Sequence, residues 1–272
     1  MDNRLGGGGT LRGRVKRNEP GKPLITIITA TYNAENNLST AIQSIREQTY
    51  DNIEYIIVDG ASTDGTVDII RANEDVIDYW ISESDTGIYN AWNKGLRLSG
   101  GDWIAFLGAD DIYVKGAIQD YMASILSCGD NLPQYISSRV NLIFGPTVLC
   151  TVGKQWNWET FRKYMNVAHV GSLHHRLLFE QYGFFDESYK ICGDYEFLLR
   201  PKSNLRAAYL NEITVNMSIN GVSNTNFLAF SEAERAKVET GGRSTILSKI
   251  EKYLAVVKWN IKNTGLYRLG GN

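Results

Sequence analysis

Cysteine is scarce in this chain of 272 residues: Cys128, Cys150 and Cys192 are widely spaced and form no CxxC pair. That argues against a disulfide framework and a zinc ribbon, and it favours a reducing compartment. Charge of one sign is lacking as well. Lys and Arg number 28 against 30 Asp and Glu, a formal charge of -2, which disfavours a nucleic-acid binder. No stretch approaches the roughly 18 apolar residues needed to cross a bilayer. No secretory leader pattern opens the chain, so the expected location is cytoplasmic. Familiar nucleotide and hydrolase motifs are missing too. Gly60–Gly65 has the glycines of a P-loop, but Thr66 stands where the phosphate-binding lysine belongs. There is no GxGxxG after the first strand, no GxSxG, no HExxH, no zinc-deaminase pattern and no repeat of 20–50 residues.

What is present is a core-forming chain, 43% hydrophobic. Residues 1–22 hold a glycine run and scattered basic residues without apolar periodicity, and read as a flexible basic arm. From Leu24 the pattern changes. Apolar, β-branched runs at Leu24–Ala30, Ile53–Val58, Ile77–Ile81 and Asp102–Leu107 predict buried strands. Between and after them, residues 35–48, 66–72, 88–98 and 114–126 carry helical spacing, the first with Asn33 or a neighbour as its cap. Alternation at this spacing predicts βαβ units and a mostly parallel sheet flanked by helices. The second half is less regular, with strands expected at 141–144 and 214–219 and a helix at 195–200.

In such sheets a ligand sits beyond the carboxyl ends of the strands. Those ends are polar throughout: Thr31-Tyr32-Asn33, Asp59–Gly65, Glu83–Gly87 and Gly108–Asp111. Asp110 and Asp111 follow a buried strand directly. One carboxylate could accept hydrogen bonds from sugar hydroxyls while the other ligates Mg²⁺ or Mn²⁺, cations that take one or two carboxylates plus phosphate oxygens. An acidic turn capping the next helix is the plainer reading of the pair alone. Asp59 and Asp85 at neighbouring strand ends favour the metal.

Three segments, ITIITATYNAENNLSTAIQSIREQTYDNIEYIIVDGASTDGT, SDTGIYNAWNKGL and GDWIAFLGADD, resemble the nucleotide-binding half of a family-2 glycosyltransferase of GT-A fold. The resemblance continues more weakly through HVGSLHHRLLF and FFDESYKICGDYEFLLR. It implies a single Rossmann-like α/β domain over 23–225, with 23–111 as the nucleotide-sugar half and 112–225 as the acceptor half. Residues 226–272 would be a C-terminal helical appendage. It further implies that Thr31, Tyr32 and Asn33 line the nucleotide pocket and that Asp59 meets the base. Asp85, Asn93 and Lys94 would lie near the diphosphate and donor sugar, Asp110 at the ribose, and Asp111 on the divalent metal, Mg²⁺ or Mn²⁺. Asp194 matches the family's catalytic base, and His169 a histidine before the acceptor segment. Two departures stand out: Gly108 occupies a position where many members have Asp, and Gly193 precedes the base where many have Glu.

The implied reaction is a metal-dependent, inverting transfer of a sugar from a nucleoside-diphosphate donor, expected to be a UDP-sugar, to a glycan or lipid-linked saccharide acceptor of bacterial surface polysaccharide synthesis. A sugar nucleotidyltransferase would need a basic, glycine-rich loop where TYNAEN stands. An inert nucleotide-sugar-binding or scaffold protein would have lost Asp111 or Asp194, and both are present. Several residues have plain alternatives. Asp194 also suits the first turn of a helix. Lys94 also suits a solvated helix face. Trp156 and Trp158 could stack on an acceptor sugar or fill core. His174 and His175 lack partners for a metal site, and Cys192 reads as packing. Residues 246–261 carry an apolar stripe bordered by Lys249, Lys252, Lys258 and Lys262. Such a helix, spanning 244–262, either docks on the inner membrane face or packs back on the domain. The two chain ends, 1–22 and 232–272, each carry +4, which leaves -10 on the body between them.

Overall fold

A computed structural model describes residues 5–10, 13, 15–219 and 227–263. In chain order the elements are β1 (Leu5–Gly7), β2 (Ile25–Thr31), α1 (Leu38–Arg46), β3 (Ile53–Asp59), α2 (Thr66–Ala72), β4 (Tyr79–Ser82), α3 (Ile88–Leu98) and β5 (Trp103–Phe106). Then come β6 (Ile112–Tyr113), α4 (Ala117–Leu126), β7 (Tyr135–Phe144), β8 (Thr147–Val152), α5 (Trp158–Phe161), β9 (Ser172–His175), α6 (Arg176–Tyr182), α7 (Gly193–Leu199), β10 (Ala207–Ser218), α8 (Leu228–Glu239) and α9 (Thr245–Asn263).

Among the described residues the strands form one sheet in the order β1-β4-β3-β2-β5-β9-β7-β10-β6, with β8 on β7. Strands β4, β3, β2 and β5 run parallel, as the alternating pattern predicts. Their side chains feed two cores. Ile25, Ile27 and Ile57 join α1 and α4 on one face, while Ile28, Ile56 and Val58 join α3, α6 and α7 on the other. Burial on both faces is why these strands read as continuous apolar runs.

Beyond β5 the expectation of a mostly parallel sheet fails. β9 is antiparallel to β5 and β7, β6 to β10, and β8 to β7, while β10 is parallel to β7. The β7–β8 link shows one reason. Its turn has Gly145 at φ 55, and so tight a turn can only fold a strand back on itself. Local boundaries shift as well. Residues 112–113 are strand, so α4 starts at Ala117, and β10 begins at Ala207, before the expected 214. The α1 cap is Asn37, not Asn33.

The N-terminal segment is not free. β1 pairs antiparallel with β4, Leu5 opposite Ser82. A Cβ on Gly8, at φ 115, would sit 2.7 Å from the Asp78 carbonyl oxygen. The glycine run therefore serves close backbone approach, not mobility. Lys16 closes the segment onto buried Asp78 at 2.8 Å. At the other end, the expected boundary at 225–226 lies outside the described residues. Helix α8 packs on the domain, with Ala236 fully buried in the second core. Helix α9 lies along α8 through Lys237–Glu251 at 3.1 Å and Lys252–Glu234 at 2.8 Å. The Trp259 ring is 4.6 Å from Phe227. No helix among the described residues is long and apolar enough to cross a membrane.

Candidate active site

The four parallel strands deliver their carboxyl ends to one edge of the sheet. Thr31 and Asp59 are direct neighbours there, and Asp59 is paired with Ser82. Asp59 is fully buried. Its carboxylate accepts from the Ser62 amide at 3.0 Å, from the Ser82 hydroxyl at 2.6 Å and from the Ser62 hydroxyl. In this ligand-free arrangement the carboxylate shapes the loop at the strand end where the base is expected. Asn33 is likewise occupied. At φ 49 its side chain accepts from the Thr63 amide at 2.9 Å, and its own amide donates to Ser62 Oγ at 2.8 Å. Two non-glycine residues at positive φ, Asn33 and Ala61, flank this corner, a local strain often found at ligand-binding loops.

What faces outward is a different subset. Tyr32 is 66% exposed. A Cβ on Gly60 would lie 2.7 Å from Asp85 Oδ2 and 3.5 Å from the Tyr32 ring, so Tyr32, Gly60 and Asp85 form one wall. Thr31 brings a buried hydroxyl without a hydrogen-bond partner to the same edge. Asp85 is oriented by the Gly87 amide, which donates to Oδ1 at 2.9 Å. Lys94 reaches this loop from α3, donating to the Ser84 carbonyl at 2.9 Å and pairing with Glu83 at 2.9 Å. Asn93, one residue earlier, points the other way and is buried. Its amide donates to the Phe185 carbonyl at 2.9 Å and to Glu187 at 2.8 Å and accepts from the Phe185 amide at 3.0 Å. Its polar atoms are engaged within the protein, which favours a structural role for Asn93 beside the expected one at the donor sugar. Asn93→Ala is therefore expected to cost about 1–3 kcal/mol of stability, through the unpaired Phe185 and Glu187 groups, and to leave nucleotide affinity unchanged. Thermal melts beside UDP titrations check this.

After β5, Asp110 and Asp111 take up different environments. Asp111 is 7% exposed, held by the Gly108 amide at 3.2 Å and the Ser218 amide at 3.0 Å. Burial, and then the charge of Asp110, push its carboxyl up to about 7. Asp110 is half-buried. Both carboxylates face the space over Gly108, where a Cβ would lie 2.5 Å from Asp111 Oδ2 and 3.2 Å from Asp110 Oδ1. Position 108 thus has no room for a side chain while Asp111 turns inward. Two carboxylates around one small space, one of them buried, fit a hard divalent cation completed by phosphate oxygens. Among the described residues no group of three or more His, Cys, Asp or Glu could hold a metal alone.

Asp194 opens α7 and is half-buried. Burial is the main cause that lifts its carboxyl to about 6. Oδ1 accepts from the Tyr195 amide at 2.8 Å and lies 3.2 Å from the Tyr89 hydroxyl, whose one proton it shares with the nearer Ile191 carbonyl. Oδ2 is the oxygen left to take a proton. Tyr89 stands in the first turn of α3, two residues past Gly87, so the Asp85 loop and Asp194 share one wall. The Gly193 departure has a reason here: a Cβ at 193 would lie 2.8 Å from the Tyr89 ring.

The acceptor-side candidates separate. Trp156 and Trp158, 6.5 Å apart, are half-buried against the second core beside Phe161. Phe161 packs 5.1 Å from Tyr195, the neighbour of Asp194. His169 is core: it is 9% exposed and stacked on Trp92 at 5.1 Å and Phe106 at 5.4 Å. Burial depresses its ring to about 3, which keeps it neutral. Three residues were missed by sequence reasoning: Tyr89, Glu187 and Glu232. Tyr89 lies inside the SDTGIYN segment, so its motif could have flagged it. Glu232 carries no sequence signal, because its partners lie about 40 residues away.

With this geometry in place, the similarities to known proteins are informative. Residues 26–176 match the family described as glycosyl transferase family 2. A PGL/p-HBAD biosynthesis glycosyltransferase of Mycobacterium bovis is 29% identical over 217 residues, 75% of this chain and 80% of that protein. The putative teichuronic acid biosynthesis glycosyltransferase TuaG of Bacillus subtilis is 34% identical over 119 residues, 42% of this chain and 47% of that protein. Among solved structures, S. aureus TarS 1-349 in complex with UDP-GlcNAc superposes with TM-score 0.66 at 15% identity, covering 91% of this chain and 76% of that one. The mannosyltransferase PcManGT of Pyrobaculum calidifontis, in complex with GDP-Man and Mn²⁺, gives 0.63 at 16% identity, covering 95% and 78%. The strand-end carboxylates therefore sit in a GT-A fold, and the chain is a glycosyltransferase that belongs to family 2.

Proposed function

We propose that this enzyme is a metal-dependent, inverting glycosyltransferase. It would move a sugar from a UDP-sugar to a saccharide or lipid-linked acceptor in surface polysaccharide synthesis. The observation that carries the reading is the pair of carboxylate stations. Asp110 and Asp111 converge over Gly108 at the end of β5. Asp194, with a free Oδ2, is joined through Tyr89 to the Asp85 loop. Relatives of this fold hold UDP-GlcNAc, or GDP-Man with Mn²⁺, which supports a nucleotide-sugar donor and a divalent metal.

In this mechanism Thr31, Tyr32 and Asp85 bind and orient the donor. A divalent cation on Asp111, with Asp110 beside it, would offset the charge growing on the departing diphosphate, worth several kcal/mol. Asp194 takes the proton of the acceptor hydroxyl on Oδ2 as the hydroxyl oxygen attacks the anomeric carbon. The bond to the diphosphate breaks in the same displacement, so an α-linked donor gives a β-linked product. An oxocarbenium-like transition state asks only modest activation of the nucleophile. One carboxylate lifted toward neutral pH meets that need. The test is incubation with Mn²⁺ and a panel of UDP-, GDP- and dTDP-sugars, with release of the nucleoside diphosphate as the readout. Consumption of one donor, dependent on Mn²⁺, is expected. Failure of every nucleotide sugar to bind with metal present overturns the reading.

Helix α9 is the membrane-facing part of the proposal. Ile246, Leu247, Ile250, Tyr253, Leu254 and Ile261 are each at least 43% exposed, and Lys249 and Lys258 are exposed beside them. An apolar stripe with basic flanks suits an anionic bilayer surface. The full chain should float with phosphatidylglycerol-rich liposomes. The Ile246→Ser/Ile250→Ser/Leu254→Ser variant should stay at the bottom of the gradient; equal flotation of the two would refute the docking role.

A further inference from the structure

The loop just before Asp194 is gripped from two sides. On α8, Glu232 is 6% exposed, and its carboxylate collects three consecutive backbone amides. Lys190 N–H donates to Oε1 at 2.8 Å, and Ile191 and Cys192 N–H donate to Oε2 at 2.8 and 2.9 Å. On α3, the Tyr89 hydroxyl donates to the Ile191 carbonyl at 2.6 Å. The peptide groups around Ile191 are thus pinned by N–H to one helix and by C=O to another. Lys190 adds a tie to the donor-side loop, its Nζ donating to the Thr86 carbonyl at 2.7 Å. Two residues beyond this clamp stands Asp194, in a helix whose N-cap, Cys192, makes no side-chain capping bond.

We propose that Glu232 and Tyr89 are positioning residues for Asp194: they hold the 190–192 backbone so that the Asp194 carboxylate points at the acceptor. This rests on the reading of Asp194 as the base. It deepens that reading by making α8, from a region expected to be an appendage, part of the catalytic apparatus. The arrangement also answers the Gly193 departure. The Tyr89 ring excludes a side chain at 193, so the support that a neighbouring carboxylate could give comes from α8 instead. The groups that interact electrostatically with Asp194 are Tyr89 from α3, Tyr135 from β7, Cys192 from its own loop and Glu232 from α8.

The test uses the full chain with Mn²⁺ and whichever donor of the panel is consumed. It compares Glu232→Gln, Tyr89→Phe, Asp194→Asn and the double variant Asp194→Asn/Glu232→Gln. Glu232→Gln keeps the shape but sets an NH₂ group against an amide. Misplacing a catalytic group by about 1 Å costs on the order of 10²-fold. So Glu232→Gln should lower kcat by roughly 10–100-fold, with donor KM and UDP affinity in Mn²⁺ unchanged. The double variant should be no slower than Asp194→Asn alone, because Glu232 acts only through Asp194. Tyr89→Phe, whose ring keeps its packing, should show the same pattern and serves if Glu232→Gln does not fold. Native kcat in both Glu232→Gln and Tyr89→Phe overturns the proposal. So does a loss that multiplies onto that of Asp194→Asn, or one matched by lost UDP affinity. Native kcat in Asp194→Asn instead overturns the assignment of the base, and is read separately.

Discussion

Asp194→Asn should slow transfer severely and stabilise the protein. Removing a general base costs about 10²–10⁴-fold in rate, and Asn keeps an oxygen for the Tyr195 amide. The stability effect follows from the raised carboxyl. Its folded value of about 6 exceeds the ordinary 3.8, so the native state prefers the protonated form. The stability this confers is complete below the unfolded value and is lost as pH rises through about 6. At pH 7.5 the native protein carries an ionised, half-buried carboxylate at a cost on the order of 1–3 kcal/mol, and Asn removes it. Melting curves should show the variant more stable at pH 7.5 and level with the native chain near pH 4. The native enzyme should lose activity tenfold per pH unit below about 6 as the base protonates. A variant that is slow but no more stable at pH 7.5 would show that Asp194 is not strained by burial.

Asp111→Asn should uncouple metal from nucleotide. The amide oxygen can still accept from Ser218 or Gly108, so the turn survives, but one of the two carboxylates over Gly108 is gone. Native chain should bind UDP more tightly with Mn²⁺ than without it. In Asp111→Asn the two affinities should coincide, and turnover should fall by roughly 10²–10⁴-fold, the rate equivalent of several kcal/mol of leaving-group stabilisation. Calorimetric titration with and without Mn²⁺ reads the first part and donor consumption the second. Mn²⁺-enhanced UDP binding that persists in Asp111→Asn would move the metal to other residues.

Much of this was legible from local pattern. A strand buried on both faces must be apolar throughout, so β2, β3 and β5 stood out, and α2 and α3 begin and end where their spacing predicts. Polar residues at the ends of such strands point at a ligand edge whatever the rest of the chain does. What local pattern leaves open is which polar atoms are engaged. Asn33, Asp59 and Asn93 are polar residues in the expected segments, and they make hydrogen bonds with Thr63, Ser62, Ser82, Phe185 and Glu187. His169 is polar by type but is caged by Trp92 and Phe106. A buried polar group must find a partner or give up its charge, and which partner it finds depends on contacts far along the chain.

By itself, then, the order of residues determined the parallel half of the sheet, the acidic edge and the family, since these follow from spacings within some 15 residues and from contiguous motifs. Only the tertiary structure decided which acids are free to act. It turned Asp111 inward over Gly108, left Asp194 with one unbound oxygen, and brought Glu232 from about 40 residues away to the loop that precedes Asp194. The physical reason is that hydrogen-bond saturation and desolvation are properties of packed neighbours, and packing joins residues that sequence keeps apart.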